Sequence, residues 1–401
     1  MPEILAKTDL IARAARMLHS SGTPADRLER ALGTLAAKIG LAGQFFSTPT
    51  SLMMTLRSPD GIETRLERLE PGTLNLERLG AIDEWIGQVV TGGSVAAASA
   101  ELALIESAPD RYGARLHVVG NALVTGAAAS VFGGSAADAA LAAALGALVA
   151  VVTLLTQRAD ASNRLAELLS AFLVAFASAA AAARWAGLSP AVIVLSSLIP
   201  MFPGLNLTIA IREIAARHLV SGSARFAGTL VVFLTLGAGA AIGTRAATWW
   251  VGAPSASESA GLPDWFLLPA LLASALGFGI SFHARPRDFP WILVAAALAL
   301  AGSRLAVPSL GPELGTSATS FVVGVAGNVF SRVFRRTSSV MMVPGLVLLV
   351  PGTIGFQSVS ALMHQDTLVG IQAAFSVLTV GISLAMGLLL ASALVPSRRE
   401  L

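Results

Sequence analysis

Cysteine is absent from this 401-residue chain, which excludes disulfides and thiolate metal sites. That absence says nothing about compartment. Charge is scarce: 13% of residues are Asp, Glu, Lys or Arg, against about 25% in soluble globular domains. Lysine is nearly missing, with Lys7 and Lys38 its only occurrences, a bias that points to genome base composition more than to function. No Gly-x-x-x-x-Gly-Lys-Ser/Thr motif is present, which excludes a nucleotide-driven pump built on that loop. The net charge of +3 is small and dispersed, so no nucleic-acid partner is expected. His218, His283 and His364 stand without clustered partners, so neither a metal nor a cofactor is expected. The first 20 residues carry Lys7, Asp9, Arg13 and Arg16, and no cleavable leader is expected.

What is present is apolar. Hydrophobic residues make up 54% of the chain, the composition of an integral membrane protein. The balance shifts near residue 117: residues 1–117 hold 12 basic and 14 acidic side chains, and residues 118–401 hold 15 and 10 among long apolar runs. The first part is expected to be a soluble α+β domain over residues 1–117. Its predicted helices are Leu5–Leu18, Pro24–Ile39 (capped at Thr23), Leu74–Val90 and Ser94–Glu106. Gln44–Leu56 and Ile62–Leu69 are predicted strands, joined through Ser58-Pro-Asp-Gly61.

The rest divides into ten expected spans, each long enough for about 30 Å of hydrocarbon: 116–132, 137–156, 165–185, 190–211, 224–247, 264–282, 289–307, 317–334, 340–362 and 367–395. With the N-terminus in the cytoplasm, twelve Arg (158, 164, 212, 217, 225, 285, 287, 332, 335, 336, 398 and 399) fall inside, against Arg184, Arg245 and Arg304 outside. This bias predicts both termini in the cytoplasm.

Two apolar stretches carry Pro-Gly: Ile199-Pro-Met-Phe-Pro-Gly-Leu-Asn-Leu-Thr208 and Val343-Pro-Gly-Leu-Val-Leu-Leu-Val-Pro-Gly-Thr353. Pro removes a helix hydrogen bond and Gly relaxes the backbone, so breaks are predicted there. Asp138 to Pro203 is 65 residues and Asp288 to Pro351 is 63; Gly204 to Gly222 and Gly352 to Gly370 are both 18. The spacing predicts two five-helix membrane repeats, 118–250 and 264–396. An odd number of spans per repeat inverts the second, an architecture that puts substrate at paired helix breaks.

Motif order over nearly the whole chain resembles the threonine/serine exporter family. The motifs are Leu18-His-Ser-Ser-Gly22 with Asp26-Arg-Leu-Glu29, Ser47-Thr-Pro-Thr-Ser51, Pro109-Asp-Arg-Tyr-Gly113, Pro203-Gly204 leading to Ile211-Arg-Glu213 and Leu219-Val-Ser-Gly-Ser-Ala-Arg225, then Pro344-Gly345 and Pro351-Gly352. The resemblance implies a cytoplasmic N-terminal domain, ten spans in the cell (inner) membrane, and export of threonine and serine driven by the proton motive force. The partners are then a small amino acid, protons and the lipid bilayer, with homo-oligomerisation left open.

The carboxylate of such a substrate suits the free N–H groups and dipole at a half-helix start. That makes Pro203, Gly204, Pro351 and Gly352 candidates, with Asn206, Thr208, Thr353, Gln357 and Asn328 for the ammonium or hydroxyl. For Asn328, helix packing competes as a role. Acidic groups within spans are costly and therefore candidates for proton coupling: Glu167 first, then Glu213, Asp138 and Asp288, the last two equally suited to capping helices. Two other readings stay open. One is a membrane enzyme with a hydrolase-like first domain around His19, Ser20 and Ser21, which lack a nucleophile elbow; the other is a structural or sensory membrane protein. No catalytic residue is assigned.

Overall fold

The structure, a computed structural model, describes residues 2–59, 61–92, 94–159, 163–253, 261–349, 352–363 and 365–396. The expectations for Asp60, Pro351, His364, Arg398 and Arg399 lie outside the described residues.

Helices α1 (Pro2–Ser20) and α2 (Ala25–Lys38) precede a three-stranded sheet of β1 (Ala42–Thr48), β2 (Ser51–Ser58) and β3 (Gly61–Arg68). Helices α3 (Leu76–Gly92) and α4 (Val95–Ser107) follow, the latter capped by Ser94. The sheet is antiparallel, with Phe45 opposite Met54 and Thr55 opposite Thr64. Period-two alternation points Leu52, Met54 and Leu56 inward. There they join Leu18, Leu28, Leu32, Leu35, Ile82 and Trp85 in one core, each buried side chain worth about 1.5–3 kcal/mol. Gln44–Leu56, expected as one strand, is two. The chain reverses at Pro49-Thr50, where Thr48 Oγ1 lies 2.8 Å from Ser51 Oγ, so side-chain hydrogen bonding makes a turn without glycine.

The apolar runs form α5 (Ala114–Val131), α6 (Ala136–Arg158), α7 (Asn163–Arg184), α8 (Pro190–Ser197), α9 (Gly204–Ala215) and α10 (Leu219–Val251). A second series follows: α11 (Leu267–Ser281), α12 (Phe289–Leu310), α13 (Pro312–Phe334), α14 (Ser339–Leu349), α15 (Gly352–Met363) and α16 (Thr367–Leu394). Seven of the described helical stretches are long and apolar enough to cross a membrane. An eighth is the pair α8 and α9, bent by 44° across a short 3₁₀ turn at Ile199–Met201. Helices α5 and α13, both expected as spans, are not among them. Arg115, His117 and Asn121 on α5, and the Ser, Thr and Asn residues of α13, dilute their apolar character. The Pro344-Gly345 step does not break its helix: Pro344 sits inside α14.

Packing is paired. Helix α7 lies on α10 as α13 lies on α16; α9 touches α10 and α16, and α15 touches α16 and α10; α5 packs against α11. Gly239 of α10 faces Leu168 O and Phe172 N of α7, while Gly387 of α16 faces Ser317 O and Phe321 N of α13. Gly222 abuts Ala210 O and Ile214; Gly370 abuts Ser358 O and Leu362.

The N-terminal unit docks at one end of this bundle through the starts of two of its helices. At α2, Ala25 N donates to Glu213 Oε1 at 3.0 Å. At α3, Leu76 N and Glu77 N donate to Phe282 O and His283 O at 2.9 and 3.2 Å. Thr23, expected as the cap of α2, does not cap it; a carboxylate from the far side of the interface satisfies that helix start instead.

Candidate functional site

Helices α9 and α15 begin at Gly204 and Gly352, and these two starts meet. A Cβ placed on Gly352 would lie 3.1 Å from Phe202 Cβ and 3.5 Å from Gly204 Cα. The rings of Phe202 and Phe356 sit beside this junction, 5.2 Å apart. In the first turn of a helix the N–H groups lack intrahelical acceptors, and the dipole leaves that end positive. The start of α9 is such an end, freed by the 44° bend between α8 and α9, and it favours an anionic group; residues 350–351, before Gly352, lie outside the described residues, and Ser339–Met363 counts as one candidate span.

The sequence candidates distribute unevenly around the junction. Pro203 is buried immediately before α9 and carries no side-chain cap. Thr208 is buried and its hydroxyl donates to Gly204 O at 3.2 Å, leaving its lone pairs. Thr353 is half-buried, next to Gly352, while Asn206 and Gln357 are exposed on α9 and α15. Asn328 is buried on α13, with Nδ2 unpartnered among the described residues. It adjoins Gly327, which faces Ser338 O and Met342 at the start of α14.

The acidic candidates separate by partner. Asp138 caps α6 in a reciprocal box: Ser135 N and Oγ donate to Oδ2 at 2.8 and 2.9 Å, and Asp138 N donates to Ser135 Oγ at 3.2 Å. Its Oδ1 accepts from Ser189 N at 2.8 Å, tying α6 to the start of α8. Asp288, at the start of α12, accepts from Arg336 Nη1 at 2.8 Å. Glu213 is fully buried and accepts from Ala25 N, from Ser221 Oγ at 2.9 Å, and from Arg225 at 3.2 and 3.3 Å. Glu167, on α7, keeps a buried Oε2 with no hydrogen-bond partner among the described residues.

Sequence reasoning missed the residues that join the N-terminal unit to α9. Asp26 pairs with Arg212. Burial alone would raise the Asp26 carboxyl, but Arg212, Arg27 and Arg30 together hold it below the ordinary carboxylate value. Arg27 lies beside Met342 Sδ at 3.8 Å, and burial with Arg212 nearby lowers its guanidinium to about 10. The signal was the Asp26-Arg-Leu-Glu29 run, but nothing local names its partners. The hydrolase reading gains no geometry: His19 Nε2 faces Pro49 O and Glu70 O at 3.1 and 3.2 Å, and Ser20 Oγ donates to Met17 O.

Comparison with known proteins identifies a family. A family described as "Putative threonine/serine exporter" matches residues 9–247, and one described as "Threonine/Serine exporter, ThrE" matches residues 268–394. A threonine/serine exporter of Corynebacterium glutamicum is 22% identical over 97% of this chain and 82% of its own. Proteins named pheromone-regulated membrane protein 10 are similar too. That of Kluyveromyces lactis is 24% identical over 92% of this chain and 41% of its own; that of Eremothecium gossypii is 26% identical over 89% and 49%. The chain thus spans half or less of the length of these fungal relatives. No solved structure matches.

Proposed function

The chain belongs to the threonine/serine exporter family, and from that membership we propose that it exports threonine and serine by secondary transport driven by the proton motive force. The observation that carries the site is the meeting of Gly204 and Gly352. The substrate carboxylate binds at the converging starts of α9 and α15, with Thr208 and Thr353 nearest for the hydroxyl or ammonium. Pro203 sets the break before α9, and Asn206 and Gln357 line the approach. The two glycines are in contact, so binding requires α9 and α15 to part.

The membrane part works as two inverted five-span repeats, 118–250 and 264–396. Support comes from equivalent contacts about 148 residues apart: Gly222 with Ala210 O against Gly370 with Ser358 O, and Gly239 against Gly387. Residues 1–117 form the cytoplasmic domain of an inner-membrane protein with both termini inside. Arg212, Arg225, Arg285, Arg287 and Arg336, all expected inside, lie at the end where this unit docks. Glu167 is the proton carrier, because the carboxylates of Asp138, Asp288 and Glu213 are committed to other partners.

Counterflow of labelled threonine in liposomes tests this. Gly204→Leu and Gly352→Leu should each lower the rate at least about tenfold, a loss of about 1.4 kcal/mol, with protein levels unchanged. Full activity in both removes the site. Glu167→Gln should flatten the pH dependence of export; an unchanged profile removes the coupling role.

A further inference from the structure

A cleft of about 570 Å³ lies between α3 and the bundle, lined by Glu84, Gly87, Gln88 and Thr91 on one side and Phe334 with Arg287, Arg335 and Arg336 on the other. The first four share one face of α3 by helical spacing, and a Cβ on Gly87 would meet nothing within 4 Å, so the floor is open. Charge in and around the cleft does not balance. Arg285 and Arg287 share Glu84 at 3.0 and 3.4 Å, and Arg336 takes Asp288. Arg335, held in the left-handed region at φ 55°, has no carboxylate partner among the described residues. Four guanidinium groups thus face two carboxylates, which suits an anion that brings one or two negative charges.

The surroundings say what carries that anion. Arg335 directly follows the end of α13 and Arg287 precedes the start of α12 by two residues, so the cleft opens where apolar helix ends. Trp291 lies tilted against Phe334 and Phe330, ring centroids 4.6 and 5.1 Å away, so aromatic side chains gather where these helices end. From Phe334 an exposed apolar track runs along one face of α13 through Val333, Val329 and Val322. Phosphate-binding arginines continuous with an apolar track fit a phospholipid better than a soluble phosphate.

We propose that this cleft binds the phosphate headgroup of an anionic phospholipid from the leaflet on the side of the N-terminal unit, with its acyl chains along α13. The site lies apart from the Gly204–Gly352 junction and does not depend on the transport reading.

The full chain, purified and reconstituted in phosphatidylcholine nanodiscs with one fifth phosphatidylglycerol, should retain phosphatidylglycerol over phosphatidylcholine in native mass spectrometry. A preference of about fivefold or more is expected from two added charge contacts near the membrane surface. Arg287→Gln/Arg335→Gln should abolish that preference, while Arg184→Gln, at the opposite end, should keep it. Arg335→Gln alone, which breaks no ion pair, should lower it several-fold with unchanged thermal unfolding in pure phosphatidylcholine. Equal retention by wild type and both cleft variants overturns the proposal. So does displacement of the retained lipid by millimolar inorganic phosphate or glycerol 3-phosphate, which would make this a soluble-phosphate site.

Discussion

The imidazole of His19 is nearly sealed in the N-terminal core, with Nε2 against two backbone carbonyls. Two acceptors require that nitrogen to carry the hydrogen, as it does in one neutral tautomer and in the imidazolium. Burial pushes its pKa below the ordinary histidine value, against the raising effect of those carbonyls. The unfolded chain therefore binds a proton that the folded chain refuses. The stability this gives is complete above about pH 6.5 and declines as pH falls through that value. Amide exchange of peptides from α1 and β2 should accelerate between pH 7.5 and 5.5 after correction for intrinsic rates. In His19→Gln the same pH step should have a smaller effect; equal slopes would show that His19 is not the titrating group.

Helices α10 and α16 approach their neighbours through glycine because backbone lies opposite, joined by Ala171 at Gly239 and by Ser320 at Gly387. A Cβ at Gly239 would sit 2.7 Å from Leu168 O, and one at Gly387 would sit 2.8 Å from Phe321 N. Carbonyl and amide atoms of a rigid helix cannot rotate away. Gly239→Ala and Gly387→Ala should each cost about 1–3 kcal/mol, read as lower thermal midpoints in detergent. Gly228→Ala, on α10 but facing open space, should be neutral or slightly stabilising. Elements of this kind were largely legible, since apolar length and Pro or Gly punctuation locate helices locally. The Pro-Gly spacing singled out both Gly204 and Gly352, and the two lie side by side. The reversal at Pro49-Thr50 was hidden by the apolar residues flanking it. The low apolarity of α5 and α13 matters less inside a bundle, where other helices rather than lipid cover their polar groups. The bond between Ala25 and Glu213 spans 188 residues, and no local pattern encodes it.

Across the whole molecule, α9 is a rod of 12 residues with Gly204 at one end and Glu213 near the other. The N-terminal unit thus grips the helix whose opposite end forms the candidate site. Removing one partner of a buried ion pair costs about 3–5 kcal/mol, so Glu213→Gln should loosen this grip by an amount of that order. The natural absence of cysteine makes the measurement direct. A single Asn206→Cys should react with a water-soluble maleimide several-fold faster when Glu213→Gln is present, and unchanged labelling would mean that the grip does not govern α9. The same bond has a consequence for manufacture. While the ribosome is still making the membrane helices, the beginning of α2 has already emerged with its first amide unanswered. That amide meets its carboxylate only once α9 has been synthesised, so this end of the first domain is completed by a residue made long after it.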